Sequence, residues 1–215
     1  GGDNSGFYVT NNSNFDFGTG NFSIEFFHLI KYSWDQTPRN LIDTRANVNS
    51  SADTGYAVRV GPNATIEFMV KGANTILAST TRLVQNVWVH VCIQRVNDAL
   101  ALFINGVQEA SCIYNTALTA AADPKFASYG PTNQYGMYGY LSNVRILKGD
   151  ISYKKSIAGT VVNPTMFPVP TSTLTAISST VFLSFCGPMA KDYATPATAN
   201  TGTLLNATGS AGLCT

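Results

Sequence analysis

Charge is scarce in this chain. Only 12 % of its 215 residues are Asp, Glu, Lys or Arg, and 13 basic against 12 acidic side chains leave a formal net charge of +1. The basic residues are scattered without a run or patch, so electrostatic binding to nucleic acid has no source. Long apolar runs are missing too: no stretch approaches the roughly 20 residues with which a helix spans a bilayer, so no membrane partner is expected. Four cysteines occur without a Cys-x-x-Cys, which removes the usual ligand spacing of a zinc site. Glutamate is limited to Glu25, Glu67 and Glu109, and histidine to His28 and His90. There is no Gly-x-Ser-x-Gly elbow, and the glycine-rich segment 130–139 lacks the Gly-Lys-Ser/Thr of a phosphate loop. The chain starts at Gly1 with neither a methionine nor a signal-peptide pattern. It reads as a processed product, or as the ordered part of something longer.

What is abundant is Asn, Ser, Thr and Gly around short apolar segments. That is the surface of a β-protein kept soluble by neutral polar groups. The length suits one sandwich with a full core and is too short for two. Val87–Cys112 is the most informative stretch. Trp88 to Arg95 alternates between two faces, Asn97-Asp98 favours a reversal, and Leu100, Leu102 and Ile104 share a face opposite Ala101 and Phe103. Asn105-Gly106 then calls for a type I′ hairpin, which needs positive φ at both central residues. A meander that is apolar on both faces belongs in mid-sheet, packed on a second sheet. In this register Cys92 faces Phe103, which faces Gln108. Cys112 then lies on the order of 15 Å from Cys92, beyond the roughly 7 Å limit of a disulfide.

Twelve strands are expected: Gly6–Thr10, Asn21–Lys31, Asn40–Arg45, Gly55–Gly61, Thr65–Lys71, Thr75–Ser79, Val87–Arg95, Leu100–Asn105, Val107–Cys112, Phe126–Tyr129, Gly136–Lys148 and Thr180–Cys186. Phe22, Ile24 and Phe26 read as inward, and Ser23 and Glu25 as facing solvent. A short helical turn is expected around Ile151–Ile157. Pro164, Pro168 and Pro170 make Asn163–Leu174 an extended strap across the sandwich edge. The sandwich is assigned to 1–186. The Ala/Thr/Gly-rich tail 187–215 cannot form its own core. Cys186 and Cys214 become a disulfide pair only if that tail folds back.

Three segments carry a family resemblance. The Trp-x-His strand with Phe-Ile-Asn-Gly-Val, the opening NFDFGTGNFSIEFF of Asn14–Phe27, and GYLSNVRILKGDISY of Gly139–Tyr153 resemble concanavalin A-like, laminin G-like jelly rolls in order and spacing. The resemblance covers roughly Gly6–Cys186 and implies an all-β, two-sheet antiparallel sandwich. The Asn-Val-Arg-Ile-Leu-Lys-Gly run, the Pro-rich strap and Val181–Cys186 are similar to a subset found in phage virion proteins. It also implies that Thr203–Asn206 adds an edge strand. A mobile arm, or an arm inserted into a neighbouring subunit, are the alternatives for this tail.

The superfamily holds glycan hydrolases and lectins. Glycosidic hydrolysis needs two carboxyl groups about 5–9 Å apart, and the glucanase run Glu-x-Asp-x-x-Glu is absent here, so no enzyme activity is expected. His90, at the family's Trp-x-His position, is assigned a packing or hydrogen-bonding role. No cofactor is required, although laminin G-like domains often hold Ca²⁺ at the rim. Asp43 is the candidate ligand, with pairing to Arg45 or a turn cap as the alternative. Sugar rings stack on aromatic faces beside polar groups. Two loops offer this: Trp34, Asp35 and Gln36 in one, Asn133, Tyr135 and Tyr138 in the other. Covering the core edge and filling a subunit contact are the competing roles. The expected function is a phage virion surface protein that touches host glycans and binds other virion proteins or itself. A secreted or cell-surface, hence extracellular, carbohydrate-binding module is the alternative.

Overall fold

Alternating side chains divide the strands into two sheets packed face to face. The computed structural model describes residues 6–31, 35–128, 137 and 139–185, with the backbone of 202–205. The strands in chain order are β1 (Gly6–Val9), β2 (Phe22–Ile30), β3 (Arg39–Asp43), β4 (Tyr56–Val60), β5 (Ile66–Val70), β6 (Asn74–Ala78), β7 (Trp88–Val96) and β8 (Ala99–Ile104). They continue as β9 (Val107–Ile113), β10 (Lys125–Phe126), β11 (Gly139–Lys148), β12 (Lys155–Ile157), β13 (Thr160–Val162), β14 (Thr180–Ser184) and β15 (Gly202–Leu205). One sheet has the order β15-β1-β10-β3-β4-β5-β6 and the other β14-β11-β2-β7-β8-β9, all antiparallel. This is the jelly-roll sandwich expected from the strand pattern. Each of the expected segments overlaps a strand, most within a residue at either end.

Phe22, Ile24 and Phe26 of β2, Val91 and Ile93 of β7, and Leu100 and Leu102 of β8 point inward against Tyr56, Val58, Ile66 and Phe68 of the opposite sheet. Phe17 stacks on Phe22 at 4.3 Å and Phe126 on Phe182 at 4.5 Å. Each such side chain contributes roughly 1.5–3 kcal/mol on leaving water. The meander has the expected register, with Cys92 against Phe103 and Phe103 against Gln108. Asn105 and Gly106 adopt φ of 48° and 79°, the type I′ signature. The Asn105 side chain also accepts the His90 N–H at 2.9 Å, which locks the turn to β7.

Three local expectations are corrected. The segment Ile151–Ile157 forms no helical turn. Its second half is β12, which pairs with β13 around Ala158 and Gly159 at φ of 48° and 80°. An Ala-Gly turn is a weak sequence signal for the I′ geometry, so it passed unnoticed. The strap does not stay on the sandwich edge. It starts there, where the Gln108 N–H donates to Thr165 and the Phe167 N–H to Gly106. It then crosses the outer face of the six-stranded sheet, and the Leu174 N–H reaches Asn143 Oδ1 at 3.0 Å. Finally, the outer face that this strap covers is largely dry, and Glu25 on it is wholly buried. The tail strand β15 lies antiparallel beside β1.

Candidate functional site

The two loops expected to meet sugars leave the same end of the six-stranded sheet. β2 ends at Ile30, β11 begins at Gly139, and these two residues are register partners. Gly139 sits at φ 151°, and a Cβ there would overlap the Leu29 carbonyl oxygen, so only glycine lets the strands approach this closely. A third segment joins them. Asn86 N–H donates to Ile30 at 2.8 Å and the Gln85 amide to Lys31 at 2.8 Å. These bonds bring Val84 and Val87, 61 % and 47 % exposed, to the same end.

Of the expected sugar contacts, Asp35 and Gln36 are described and exposed. Asp35 accepts the Thr37 N–H at 2.9 Å and Arg39 Nη2 at 3.1 Å, and the Thr37 bond leads in holding its carboxyl below the usual range. Gln36 has φ 66°, a left-handed turn position. Trp34, Asn133, Tyr135 and Tyr138 lie outside the described residues, as do Cys186 and Cys214. Cys92 is fully buried, and desolvation followed by the nearby Glu25 charge pushes its thiol pKa well up, which makes it an unreactive packing group.

Asp43 is buried and paired with Arg45. Its Oδ1 and Oδ2 accept Arg45 Nε and Nη2, each at 2.8 Å, and Arg45 Nη1 continues to the Gly72 carbonyl at 2.7 Å. Asp53 accepts backbone N–H groups of Asn47, Gly55 and Ala46 at 2.6, 2.7 and 2.9 Å, so it organises its own loop. Among the described residues no group of three or more His, Cys, Asp or Glu is gathered to hold a metal.

A cluster that the sequence left undetected surrounds Glu25. An extra residue in β11 between the pairs Ser142–Phe27 and Arg145–Glu25 forms a bulge, with Asn143 at φ 51°. The bulge turns Arg145 onto Glu25, with Nη2 and Nε at 2.6 and 2.8 Å from Oε1. Ser152 Oγ and Tyr153 Oη donate to the same carboxylate, the latter at 2.8 Å, and His90 Nε2 stands 3.4 Å away. Burial alone would raise the Glu25 pKa. The bonds from His90, Ser152 and Tyr153 and the Arg145 charge outweigh it and hold the carboxyl below its usual range. Phe167 of the strap closes the cluster, stacked on Tyr153 at 3.5 Å, edge-on to His90 at 5.9 Å and tilted against Phe103 at 5.1 Å. Hence His90 both packs and hydrogen-bonds. The one readable signal was Arg145, a cation set between the apolar Val144 and Ile146 of β11.

The remaining glutamates are also engaged. Glu67 pairs with Arg59 at 2.7 Å, and Glu109 accepts the N–H groups of Thr80 and Thr81 at 2.7 and 2.8 Å. The three lie on different strands with different partners, not as the facing pair that sugar hydrolysis uses.

Residues 1–154 match the profile of a laminin G-like family described as the concanavalin A-like lectin/glucanases superfamily. No curated protein matches the chain by sequence. Among solved structures, the fold is similar to that of a candidate carbohydrate-binding protein from Bacteroides ovatus, with TM-score 0.60 and 15 % identity over 93 % of this chain. The chain spans 57 % of that structure's length. A SAP-like pentraxin from Limulus polyphemus is similar over 67 % of this chain and 70 % of its own, with 12 % identity and TM-score 0.49. The CBM40 module of the Ruminococcus gnavus IT-sialidase gives the same identity and TM-score over 63 % of this chain and 79 % of its own.

Proposed function

Because the chain belongs to the concanavalin A-like lectin/glucanases superfamily, we propose that it is a non-enzymatic carbohydrate-binding sandwich that takes glycans at the loop end of its six-stranded sheet. The observation that carries this reading is the pairing of Ile30 with Gly139. It sets side by side the strand ends next to two sequence segments that combine aromatic rings with amides and an acid. The reading is non-enzymatic because Glu25, Glu67 and Glu109 are each committed to structural partners. The role given to the Bacteroides ovatus protein that shares the fold accords with it.

The setting we propose is the surface of a phage particle, in keeping with the resemblance of Asn143–Gly149 to virion proteins. There the rigid sandwich displays its loop end to host glycans while other surfaces contact neighbouring virion proteins or further copies of the chain. The deciding experiment is a broad glycan array, probed with calcium and again with a chelator. Reproducible binding that is lost in Trp34→Ala or Tyr135→Ala supports the site, and loss with chelator alone adds a calcium ion to it. An array blank under both conditions rejects glycan binding and leaves protein contact as the role of the loops.

A further inference from the structure

β7 runs from Trp88, which pairs with Leu29, to the turn at Asn97-Asp98, where the Tyr114 N–H meets the Asp98 carbonyl at 2.8 Å. This end of the sandwich, away from Ile30 and Gly139, carries a pocket of about 90 Å³. Three segments wall it: residues 51–54 between β3 and β4, Lys71 at the start of the β5–β6 turn, and Tyr114, Thr116 and Ala117 after β9. Each wall is tied down. Arg45 Nη1 donates to the Gly72 carbonyl at 2.7 Å, and Arg95 Nη1 to the Thr116 and Tyr114 carbonyls at 3.1 and 3.5 Å. The Thr119 N–H and hydroxyl reach Thr54 at 3.2 and 2.6 Å. A Cβ on Gly72 would stand 2.6 Å from the Val48 carbonyl oxygen and 2.7 Å from that of Ser50. Glycine alone therefore lets the β5–β6 turn press on the loop at 48–50.

Lys71 is the charge that this pocket leaves over. Among the described residues no carboxylate pairs with it. Asp53, the acid in the lining, has both oxygens committed to the N–H groups of Ala46, Asn47 and Gly55. Arg95 is buried under the Tyr114 wall and has the Asp98 charge close to it. Lys71 also sits at φ 49°, the left-handed region that asparagine or glycine adopts more readily. A lysine held there at an energetic cost points to a use for its ammonium. Around it stand the hydroxyls of Ser51, Thr54 and Thr116 and the phenol of Tyr114. Thr54 Oγ1 accepts from Thr119, which leaves its own proton free to donate. Burial raises the Tyr114 pKa, against the hydrogen bond from Thr116 and the Arg95 charge, so the phenol stays protonated and able to donate.

We propose that this pocket binds a small oxoanion, a phosphate or a carboxylate, with Lys71 as its counter-charge and the Ser51, Tyr114 and Thr116 hydroxyls as donors. Size selects the class. A water takes about 30 Å³ of the liquid, so the pocket has room for about three, whereas pockets for drug-sized ligands run to roughly 300–1,000 Å³. A phosphate or carboxylate group fits that space, free or as the end of a larger molecule. Charge selects the sign. A cation would meet the Lys71 ammonium, and the lone pairs of Asp53 are already turned to backbone amides. An ammonium offers three donors and binds phosphate as a point charge, while the neutral hydroxyls adjust to the oxygens around it. The pocket is independent of the glycan reading, since none of its residues belongs to the two loops invoked there.

The test follows thermal unfolding of the full chain by circular dichroism in rising sodium phosphate or, separately, sodium acetate, against sodium chloride at equal ionic strength. The expected result is a saturable rise in melting temperature with at least one of the two, about 3–6 degrees at tenfold the midpoint concentration. A response to phosphate alone assigns a tetrahedral anion, and a response to acetate alone assigns a carboxylate. Lys71→Asn should melt higher than the wild type in chloride, because asparagine before Gly72 suits the left-handed turn, and yet lose the response. Lys71→Arg, which keeps the charge, should retain it, and Thr116→Val should weaken it at least threefold. A rise that stays linear in concentration and is equal in Lys71→Asn is the effect of an excluded salt on any folded protein, and it overturns the site. So does the lack of a saturable response to either anion, or saturable stabilisation by calcium chloride in their place.

Discussion

Glu25 shows how far a single residue departs from its pattern. In sequence it alternates with Phe22, Ile24 and Phe26 as the outward member of β2, and alternation ordinarily sends such a residue to water. Here the outward side is sealed by Tyr153 and Phe167, and the acid is retained because Arg145, Ser152, Tyr153 and His90 satisfy it. His28 shows the reverse case. It is buried on the inner side, and desolvation, partly offset by its bond to the Tyr140 carbonyl, lowers its pKa to about 4. The unfolded chain, with a histidine pKa near 6.5, therefore binds more protons than the folded one between these values. Stability should rise with pH through this window and be lost as pH falls. Between pH 6.5 and 4.5 urea denaturation should show a loss of about 2 kcal/mol in the wild type and much less in His28→Gln. Equal losses would assign the titration to other groups. Glu25, whose folded pKa is depressed, contributes stability that is present above the unfolded carboxyl value and is lost as pH falls below it, so its loss begins only at the acid end of the His28 window.

Among the elements, those with strong local rules were legible and those built by distant contacts were not. The β7–β8–β9 meander was readable down to its register because alternation and the Asn-Gly turn specify it together. The β12–β13 hairpin was misread because its turn places Ala158 at φ 48°, a conformation that L-residues with a Cβ adopt at a cost of about 1–2 kcal/mol. Asn at that position tolerates it better and converts the turn to Asn-Gly. Ala158→Asn should thus stabilise the chain by about 0.5 kcal/mol, a rise of one or two degrees in melting temperature. The amides of β12 and β13 should at the same time exchange more slowly with deuterium. A fall in stability would mean that the turn is held by contacts that the larger side chain disturbs. The strap was recognised as extended from its prolines. Its path over Phe103 and His90 was not, since proline excludes a central strand without stating which face the chain will cover.

For the whole molecule, the topology interleaves distant parts of the chain. β1 lies between β15 and β10, and β10 in turn joins it to β3, so the first strand and the last complete one sheet. Phe7 is 4 % exposed and Val9 fully buried, and Phe7 packs on Phe126, Phe182 and Phe185. Removing residues 1–9 takes these side chains from the core and leaves β10 unpaired on one side. Losing two such buried side chains costs several kcal/mol, comparable to the total stability of a domain. The shortened chain should show no cooperative thermal transition by circular dichroism. A cooperative transition close to that of the full chain would mean that the sandwich folds without its first strand.

The site follows the same division. Aromatic and amide residues in two loops marked candidate sugar contacts from sequence alone, because their chemistry is carried by the residues themselves. That both loops leave one end of one sheet depends on the pairing of Ile30 with Gly139, which lie more than a hundred positions apart. That Tyr140, Leu29 and Trp88 are register partners across β11, β2 and β7 was invisible for the same reason, since only the sheet order makes these three strands neighbours. The sequence by itself determined the class of fold, most of the strand boundaries and the scarcity of catalytic groups, all set by local periodicity and composition. Only the tertiary structure decided which outward faces stay wet, where the charged groups find partners and which aromatic rings share a surface. Those depend on contacts between residues far apart in the chain, and local pattern carries no information about them.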